Sequence, residues 1–238
     1  MKYKLVIFDL DGTLLDTIDD LSAAVNHAMQ LRGFPQHTRD EYMQMVGHGA
    51  RNLMRQALPE GHKDDDMVEA AYNDFRAYYT AHIDVHTQPF PGIQRLLTKL
   101  HQEGVMLAVA SNKFQEGTKH LIKEFFPEIP FVAILGNRSN FPLKPDPEVV
   151  GEVLRKSGIK REEAVMVGDS DTDMETAVNG GIEGIAVSWG YRNRKDLSET
   201  LSALRSFNPS TNSGLRTQGP QNLMVANSAE ELKKLLLP

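Results

Sequence analysis

The chain has 238 residues, of which 40% are apolar and 24% charged, with a formal net charge of −6. This is the balance of a globular protein with one large domain, or a domain carrying an insert. The acidic balance argues against a nonspecific hold on nucleic acid or an anionic membrane, and no run approaches the roughly 18 apolar residues needed to span a bilayer. With no cysteine, disulfides, thiol catalysis and cysteine-based zinc or iron–sulfur centres are excluded. The N-terminal apolar run stops at Asp9 with no leader-like cleavage pattern, so a cytoplasmic protein is expected. Composition sets no oligomeric state.

The first element is a short β-rich run, Leu5–Phe8, followed directly by Asp9-Leu-Asp11-Gly12-Thr13. From Asp16 to about Gln88 no strand pattern follows, only helical stripes. Ile18, Leu21, Val25 and Ala28 form one; Val68, Ala71, Tyr72, Phe75 and Tyr79 form another, expected to be core of the helical block. Thr38 and Glu41 have capping-box spacing between them. Pro89-Phe-Pro-Gly92 marks a return to strand–helix alternation. The further strands expected are Val105–Ala110, Phe131–Leu135, Ala164–Val167, Ile185–Ser188 and a weaker Leu223–Val225. Helical segments such as Ile93, Leu96, Leu97, Leu100 lie between most of them, and Ser228-Ala-Glu-Glu231 reads as a capping box before the last helix. The pattern is α/β, a parallel sheet covered on both faces, with an all-helical block inserted after the first strand. Ser206–Gln221, rich in Ser, Asn, Thr, Gly and Pro, reads as a long surface loop.

Several strands end in chemistry-bearing groups. The first ends in Asp9 and Asp11, the run Val105–Ala110 in Ser111-Asn112-Lys113, and Ala164–Val167 in Gly168-Asp169 with Asp173 beyond; Lys144 follows the Phe131–Leu135 run after a loop. In a parallel sheet these ends share one edge, where loops and helix N-termini converge on ligands. Clustered oxygen ligands with few histidines suit a hard cation, Mg²⁺ foremost, which would offset the repulsion between carboxylates. With the cation in place, Asp9 can serve as a nucleophile and Asp11 as a proton donor, the two needing unlike ionisation states. Lys144, the Ser111 hydroxyl and loop N–H groups near Gly12 and Asn112 can bind the oxygens of a phosphoryl group.

The set Asp9-Leu-Asp11-Gly12-Thr13, Ser111, Lys144 and Gly168-Asp169-x-x-x-Asp173 resembles the four motifs of the haloacid dehalogenase superfamily, in order and over nearly the whole chain. The resemblance implies a Rossmann-like catalytic core at 1–15 and 89–238 and a helical cap domain at 16–88. It also implies an aspartyl-phosphate intermediate. It assigns Asp9 as nucleophile and metal ligand, and Asp11 as acid/base and backbone-carbonyl ligand. Asp169 becomes a metal ligand, Asp173 an outer or occasional one, and Ser111 and Lys144 holders of the phosphoryl group.

Within that superfamily Asp11 argues against dehalogenases, which lack the second acid, and against phosphonate hydrolases, which replace it. Val46-Gly-His-Gly49 before Ala50-Arg51-Asn-Leu53, Ser111-Asn112-Lys113 and Trp189-Gly190-Tyr191-Arg192 are similar to phosphoglycolate phosphatases. The expected activity is therefore Mg²⁺-dependent hydrolysis of a small phosphorylated metabolite, with phosphoglycolate leading. A sugar-phosphate mutase of the β-phosphoglucomutase type is the alternative, and a non-catalytic metabolite-binding regulator a lesser one. The segment Gly47, His48, Gly49 is either a tight turn or an anion loop facing the substrate, and Arg51 either adds charge to it or points to solvent. His82 and His86 read as solvated, and Asp64-Asp65-Asp66 as a solvated helix start.

Overall fold

The computed structural model describes residues 2–192, 194–206 and 222–237. Strand β1 (Leu5–Phe8) is the axis of the molecule. It pairs in parallel with β4 (Met106–Phe114) on one side and β6 (Ala164–Gly168) on the other, Phe8 lying opposite Val109 and Val167. With β5 (Phe131–Asn137), β7 (Glu183–Val187) and β8 (Leu223–Ala226), they form a six-stranded sheet ordered β5-β4-β1-β6-β7-β8, every pair parallel. The near-continuous apolar strands follow from burial of both faces. Val6, Phe8, Val109 and Val167 point to a cluster shared with α5 (Ile93–Gln102) and α10 (Ala229–Leu236). Leu5, Ile7, Ala108 and Met166 point to the other face, against α7 (Glu148–Ser157). The remaining core helices are α6 (Gln115–Phe125), α8 (Asp171–Gly180) and α9 (Arg194–Ser206).

Between β1 and the rest of the sheet lie α1 (Ile18–Leu31), α2 (Arg39–Met45), α3 (Ala50–Ala57) and α4 (Asp65–Ala81). Both expected stripes are buried, Ile18, Leu21, Val25 and Ala28 on α1 and Val68 to Tyr79 on α4, and the two helices pack together. The chain leaves for these helices and returns through a pair the sequence pattern did not show. β2 (Leu15–Asp16) runs antiparallel to β3 (Gln88–Pro89), and two residues are too few to register as a period. Just inside this neck, Asp20, 2% exposed, accepts from the backbone N–H groups of His86 at 3.0 Å and Thr87 at 2.9 Å and from the Thr87 hydroxyl at 2.8 Å. One buried carboxylate thus ties the start of α1 to the strand that re-enters the core.

Strand β4 runs four residues beyond its expected end, carrying Ser111 to Phe114 in the sheet with a register shift against β5. The Thr38/Glu41 capping box forms as read. At the last helix only half of one forms. Ser228 accepts from Glu231 N–H, but the Glu231 carboxylate takes the N–H of Asn227, one residue earlier. Asp64 caps α4, and His82 stacks on Tyr78. The expected Ser206–Gln221 loop lies outside the described residues apart from Ser206, which ends α9. Among the described residues no helix is long and apolar enough to cross a membrane.

The neck yields a stability prediction. Asp20→Ala strands the backbone N–H groups of His86 and Thr87, the Thr87 hydroxyl keeping Ile83 O as an acceptor, which should cost roughly 2–4 kcal/mol. Thermal unfolding should show Tm lowered by several degrees. An unchanged Tm would mean that the neck is not held by this carboxylate.

Candidate active site

The parallel ends of β1, β4 and β6 bring the expected residues to one edge. Asp9 N–H still donates to Val167 O at 2.9 Å, so the acid is fixed by the last rung of the sheet. Asp169 follows the end of β6, and Asp173 sits one turn on, in the first turn of α8. Ligand oxygens of Asp9, Asp169 and Asp173 lie within 4.8 Å of one another, and all three residues are buried. Lys144 Nζ reaches between them, 2.8 Å from Asp9 Oδ1 and 2.6 Å from Asp173 Oδ1.

Each acid is positioned by local structure. Asp173 completes a capping box, its Oδ2 accepting from Ser170 N–H at 3.1 Å and Ser170 Oγ at 2.6 Å, so one carboxylate starts a helix and faces a lysine. Asp169 accepts from Tyr191 N–H at 2.7 Å and the Thr13 hydroxyl at 3.2 Å. Gly12 and Gly190 close around it. A Cβ on Gly12, at φ +84°, would sit 2.4 Å from Asp169 Oδ2, and one on Gly190 would sit 2.3 Å from Asp169 Cβ.

Burial, reinforced by the Asp173 charge, pushes the Asp9 carboxyl up to about 8 and that of Asp169 to about 7. Burial opposes the charge on Lys144, but the Asp173 and Asp9 carboxylates outweigh it and raise the amine. One ammonium does not neutralise three acids. Asp9 Oδ1, although close to Lys144, has no aligned hydrogen-bond donor and is a buried oxygen without one. An orphaned carboxylate oxygen within a triad of oxygen donors is what a divalent cation satisfies, so the residues present fit a metal ion.

Asp11 lies apart from that triad. Its Oδ1 accepts from Thr17 Oγ1 at 2.7 Å and from Lys113 Nζ at 3.0 Å. The sequence reading set Asp11 against Asp9 as the repelling pair. In the structure the like charges that act on Asp9 are Asp173 and Asp169, while Asp11 has a cation of its own. Thr17 stands at the N-cap of α1 without capping it, because its hydroxyl is given to Asp11; its N–H donates to Tyr191 OH at 2.8 Å. Lys113 also donates to Tyr79 OH at 2.5 Å. Lys113, Tyr79, Thr17 and Tyr191 had no assigned role in the sequence reading. A lysine two residues past Ser111 on a buried strand was the available signal, since alternation puts both side chains on one side.

Asp9, Asp11, Ser111, Asn112, Lys113, Asp169, Ser170, Gly47, Gly49, Tyr79 and Arg192 line one cavity of about 50 Å³ between the sheet edge and the inserted helices. Three side chains are placed here, those of His48 and Arg51 on the outward-facing alternative that the sequence left open. The Asn112 side chain is engaged within the protein, donating to Gly47 O at 2.9 Å and Lys144 O at 3.1 Å and accepting from Lys144 N–H at 2.8 Å. It sets two loops, so any contact of this residue with a phosphoryl oxygen would be through the backbone N–H groups that the sequence suggested. His48 turns from the cavity to Thr172 Oγ1, 3.2 Å away, and its ring lies 4.0 Å from Asp171. Arg51 is exposed, pairs with Glu69 at 2.6 Å and covers the Tyr72 ring. Gly47 and Gly49 alone of that segment's expected residues reach the lining.

Comparison with known proteins agrees with this geometry. The family model described as haloacid dehalogenase-like hydrolase matches residues 6–187. A phosphoglycolate phosphatase of Mesorhizobium japonicum is 32% identical over 88% of this chain and 90% of its own. Another, of Aliivibrio fischeri, is 31% identical over 83% and 89%. The crystal structure of a candidate phosphoglycolate phosphatase from Lactobacillus delbrueckii subsp. bulgaricus superposes with a TM-score of 0.86 at 31% identity, covering 100% of this chain and 99% of that one. With the four strand-end motifs gathered at one sheet edge and relatives of this similarity along its length, the chain belongs to the haloacid dehalogenase-like hydrolases, as a phosphoric monoester hydrolase acting on a phosphorylated small molecule.

Proposed function

We propose that the protein is a Mg²⁺-dependent phosphatase that hydrolyses phosphoglycolate through an aspartyl phosphate on Asp9. Residues 1–15 and 89–238 act as the catalytic core, and 16–88 as a cap that closes over it. The observation that carries the reading is the separation of two acids into unlike settings. Asp9 shares a buried triad and Lys144, whereas Asp11 is held by Thr17 and Lys113.

In this reading Asp9 attacks phosphorus while Asp11 protonates the departing ester oxygen. Asp11 then takes a proton from the water that hydrolyses the aspartyl phosphate. Lys144 and the Ser111 hydroxyl hold the equatorial phosphoryl oxygens. Asp9, Asp169 and the Asp11 carbonyl would hold Mg²⁺ with Asp173 beside them, and the bound ion supplies charge stabilisation to the transferring phosphoryl group. The cap excludes bulk water, which would otherwise weaken every charge interaction in the site.

The substrate assignment draws on the relatives named phosphoglycolate phosphatase and on size. A cavity of about 50 Å³ admits a ligand displacing a few waters, each needing about 10–15 Å³ by the same measure. That enclosed space suits a small phosphoester. A likeness to a candidate β-phosphoglucomutase from Bacteroides vulgatus, at 22% identity and TM-score 0.72, shows the shared fold alone.

Two experiments test the reading. Asp9→Asn should abolish steady-state phosphate release while the protein stays folded. Asp11→Asn should still accept phosphoryl from acetyl phosphate and then stall, visible by mass spectrometry as a trapped phosphoenzyme. Turnover by the first variant, or normal turnover by the second, would overturn the assigned roles.

EDTA should remove activity and Mg²⁺ restore it, and thermal unfolding gives an independent readout. Asp9 and Asp169 are raised above their ordinary value to about 8 and about 7, so with protein groups alone the fold is favoured while they are protonated. That contribution is lost as pH rises through those values. Metal-free protein should therefore lose Tm between pH 6 and about 8.5, and Mg²⁺ should recover most of the loss. Equal profiles with and without Mg²⁺ would remove the proposed site.

A further inference from the structure

The Asp9 end of the cavity is accounted for by phosphoryl chemistry, but the far end also carries charge. The cations lining the cavity are Lys113 and Arg192. Arg192 donates one bond from each terminal nitrogen, to Met43 O and to Val46 O at 2.7 Å, and so holds the α2–α3 segment. His48 and Arg51 face away. Lys113 remains. Its ammonium donates to both Asp11 oxygens, at 3.0 and a longer 3.3 Å, and to the Tyr79 hydroxyl, at 2.5 Å.

Tyr79 brings the second observation. Its side chain is fully buried and lines the cavity from α4. Because Lys113 can only donate, the phenol accepts that bond, and its own O–H has no acceptor among the described residues. Burial, with Asp11 nearby, raises the phenol well above its usual value, so it keeps that proton. The walls around it include Leu21, Leu53, Phe75 and Phe114. A buried hydroxyl donor beside an ammonium, ringed by apolar side chains, is an arrangement suited to one small anion.

We infer that Tyr79 and Lys113 are the specificity residues of the proposed reaction, gripping a carboxylate attached directly to the phosphoester carbon. The inference rests on the reading of the site as a phosphoglycolate phosphatase and assigns the acid group to α4 and β4, away from the segment around His48. Length supports it. Asp11, the proposed acid, must touch the ester oxygen, and Lys113 is one hydrogen bond from Asp11. In a two-carbon acid the carboxylate carbon is two covalent bonds from that oxygen, within about one hydrogen-bond length (roughly 3 Å) of the same ammonium. In 3-phosphoglycerate an extra carbon pushes the acid past this point, into the apolar wall.

The test compares phosphoglycolate with ethyl phosphate, which matches it in carbon count but lacks the carboxylate, using the full chain with Mg²⁺. In wild type kcat/KM should favour phosphoglycolate over both ethyl phosphate and 3-phosphoglycerate. Tyr79→Phe keeps the ring and removes the donor. It should lower the phosphoglycolate-to-ethyl phosphate ratio about 10- to 100-fold, chiefly through KM. Lys113→Met should lower the rate on both substrates, since it also holds Asp11, and lower the ratio further, with Lys113→Arg recovering part of it. Thermal unfolding checks that each variant is folded. A wild-type preference that survives in both Tyr79→Phe and Lys113→Met would overturn this inference and leave the phosphatase reading intact. A wild type that does not prefer phosphoglycolate would overturn the substrate reading and this inference with it.

Discussion

Three carboxylates within 4.8 Å of one another, all buried, are the constraint around which this protein is arranged. A buried charge costs several kcal/mol unless it is paired and hydrogen-bonded. Each acid is accordingly enclosed by donors: Lys144 between Asp9 and Asp173, the Ser170 capping box on Asp173, and Tyr191 N–H with the Thr13 hydroxyl on Asp169. The oxygen left over, Asp9 Oδ1, marks where the protein's own groups run out. The apolar core beneath sustains this strain. Strands β1, β4 and β6 are buried on both faces, so the edge that holds the acids is anchored to the two largest hydrophobic clusters at once.

Part of the contact between the inserted helices and the core is to backbone oxygens. Asn112 donates to Gly47 O, and Arg192 to Met43 O and Val46 O. Such bonds fix where the α2–α3 segment lies without depending on its side chains. Side chains join them as well, Arg76 to Glu116, Asp84 to His120 and His48 to Thr172, and Tyr79 reaches the Asp11 network through Lys113. If the helices close over the core as proposed, the same movement completes the Lys113 environment.

Much of this was legible in the sequence because periodicity and strand ends carry it. The apolar runs locate the strands, parallel order brings their ends together, and Asp9, Asp11, Ser111, Lys144, Asp169 and Asp173 meet as expected. Three kinds of feature escaped. The β2–β3 pair is too short to show a period. The Glu231 side chain chose Asn227 over Ser228, a difference of one residue that spacing does not encode. Most important, the facing of His48, Arg51, Tyr79 and Lys113 depends on how the inserted helices meet the sheet edge. On α4 the stripe of Tyr72, Phe75 and Tyr79 reads as uniform core, yet its last member is the one whose hydroxyl reaches the cavity. A helical stripe identifies the buried face but not which of its residues meets another element's polar group.

The two aspartates of Asp9-Leu-Asp11 are separated by one residue and have nothing else in common. Asp9 is locked into the sheet by its own N–H and crowded by like charges, which suits an atom that must be in one place when phosphorus arrives. Asp11 leaves the strand, bonds to a hydroxyl on the neck and an ammonium on β4, and keeps slightly more exposure. Its partners are donors in either protonation state of the carboxyl, so they hold it through a proton lost and a proton regained. In the proposed mechanism that is the task of the second acid, which must act twice from one position. Two lysines from different strand ends, Lys144 and Lys113, make the division possible. Each is committed to one acid of the motif, and exchanging either for a neutral residue would remove the distinction on which the assigned roles depend.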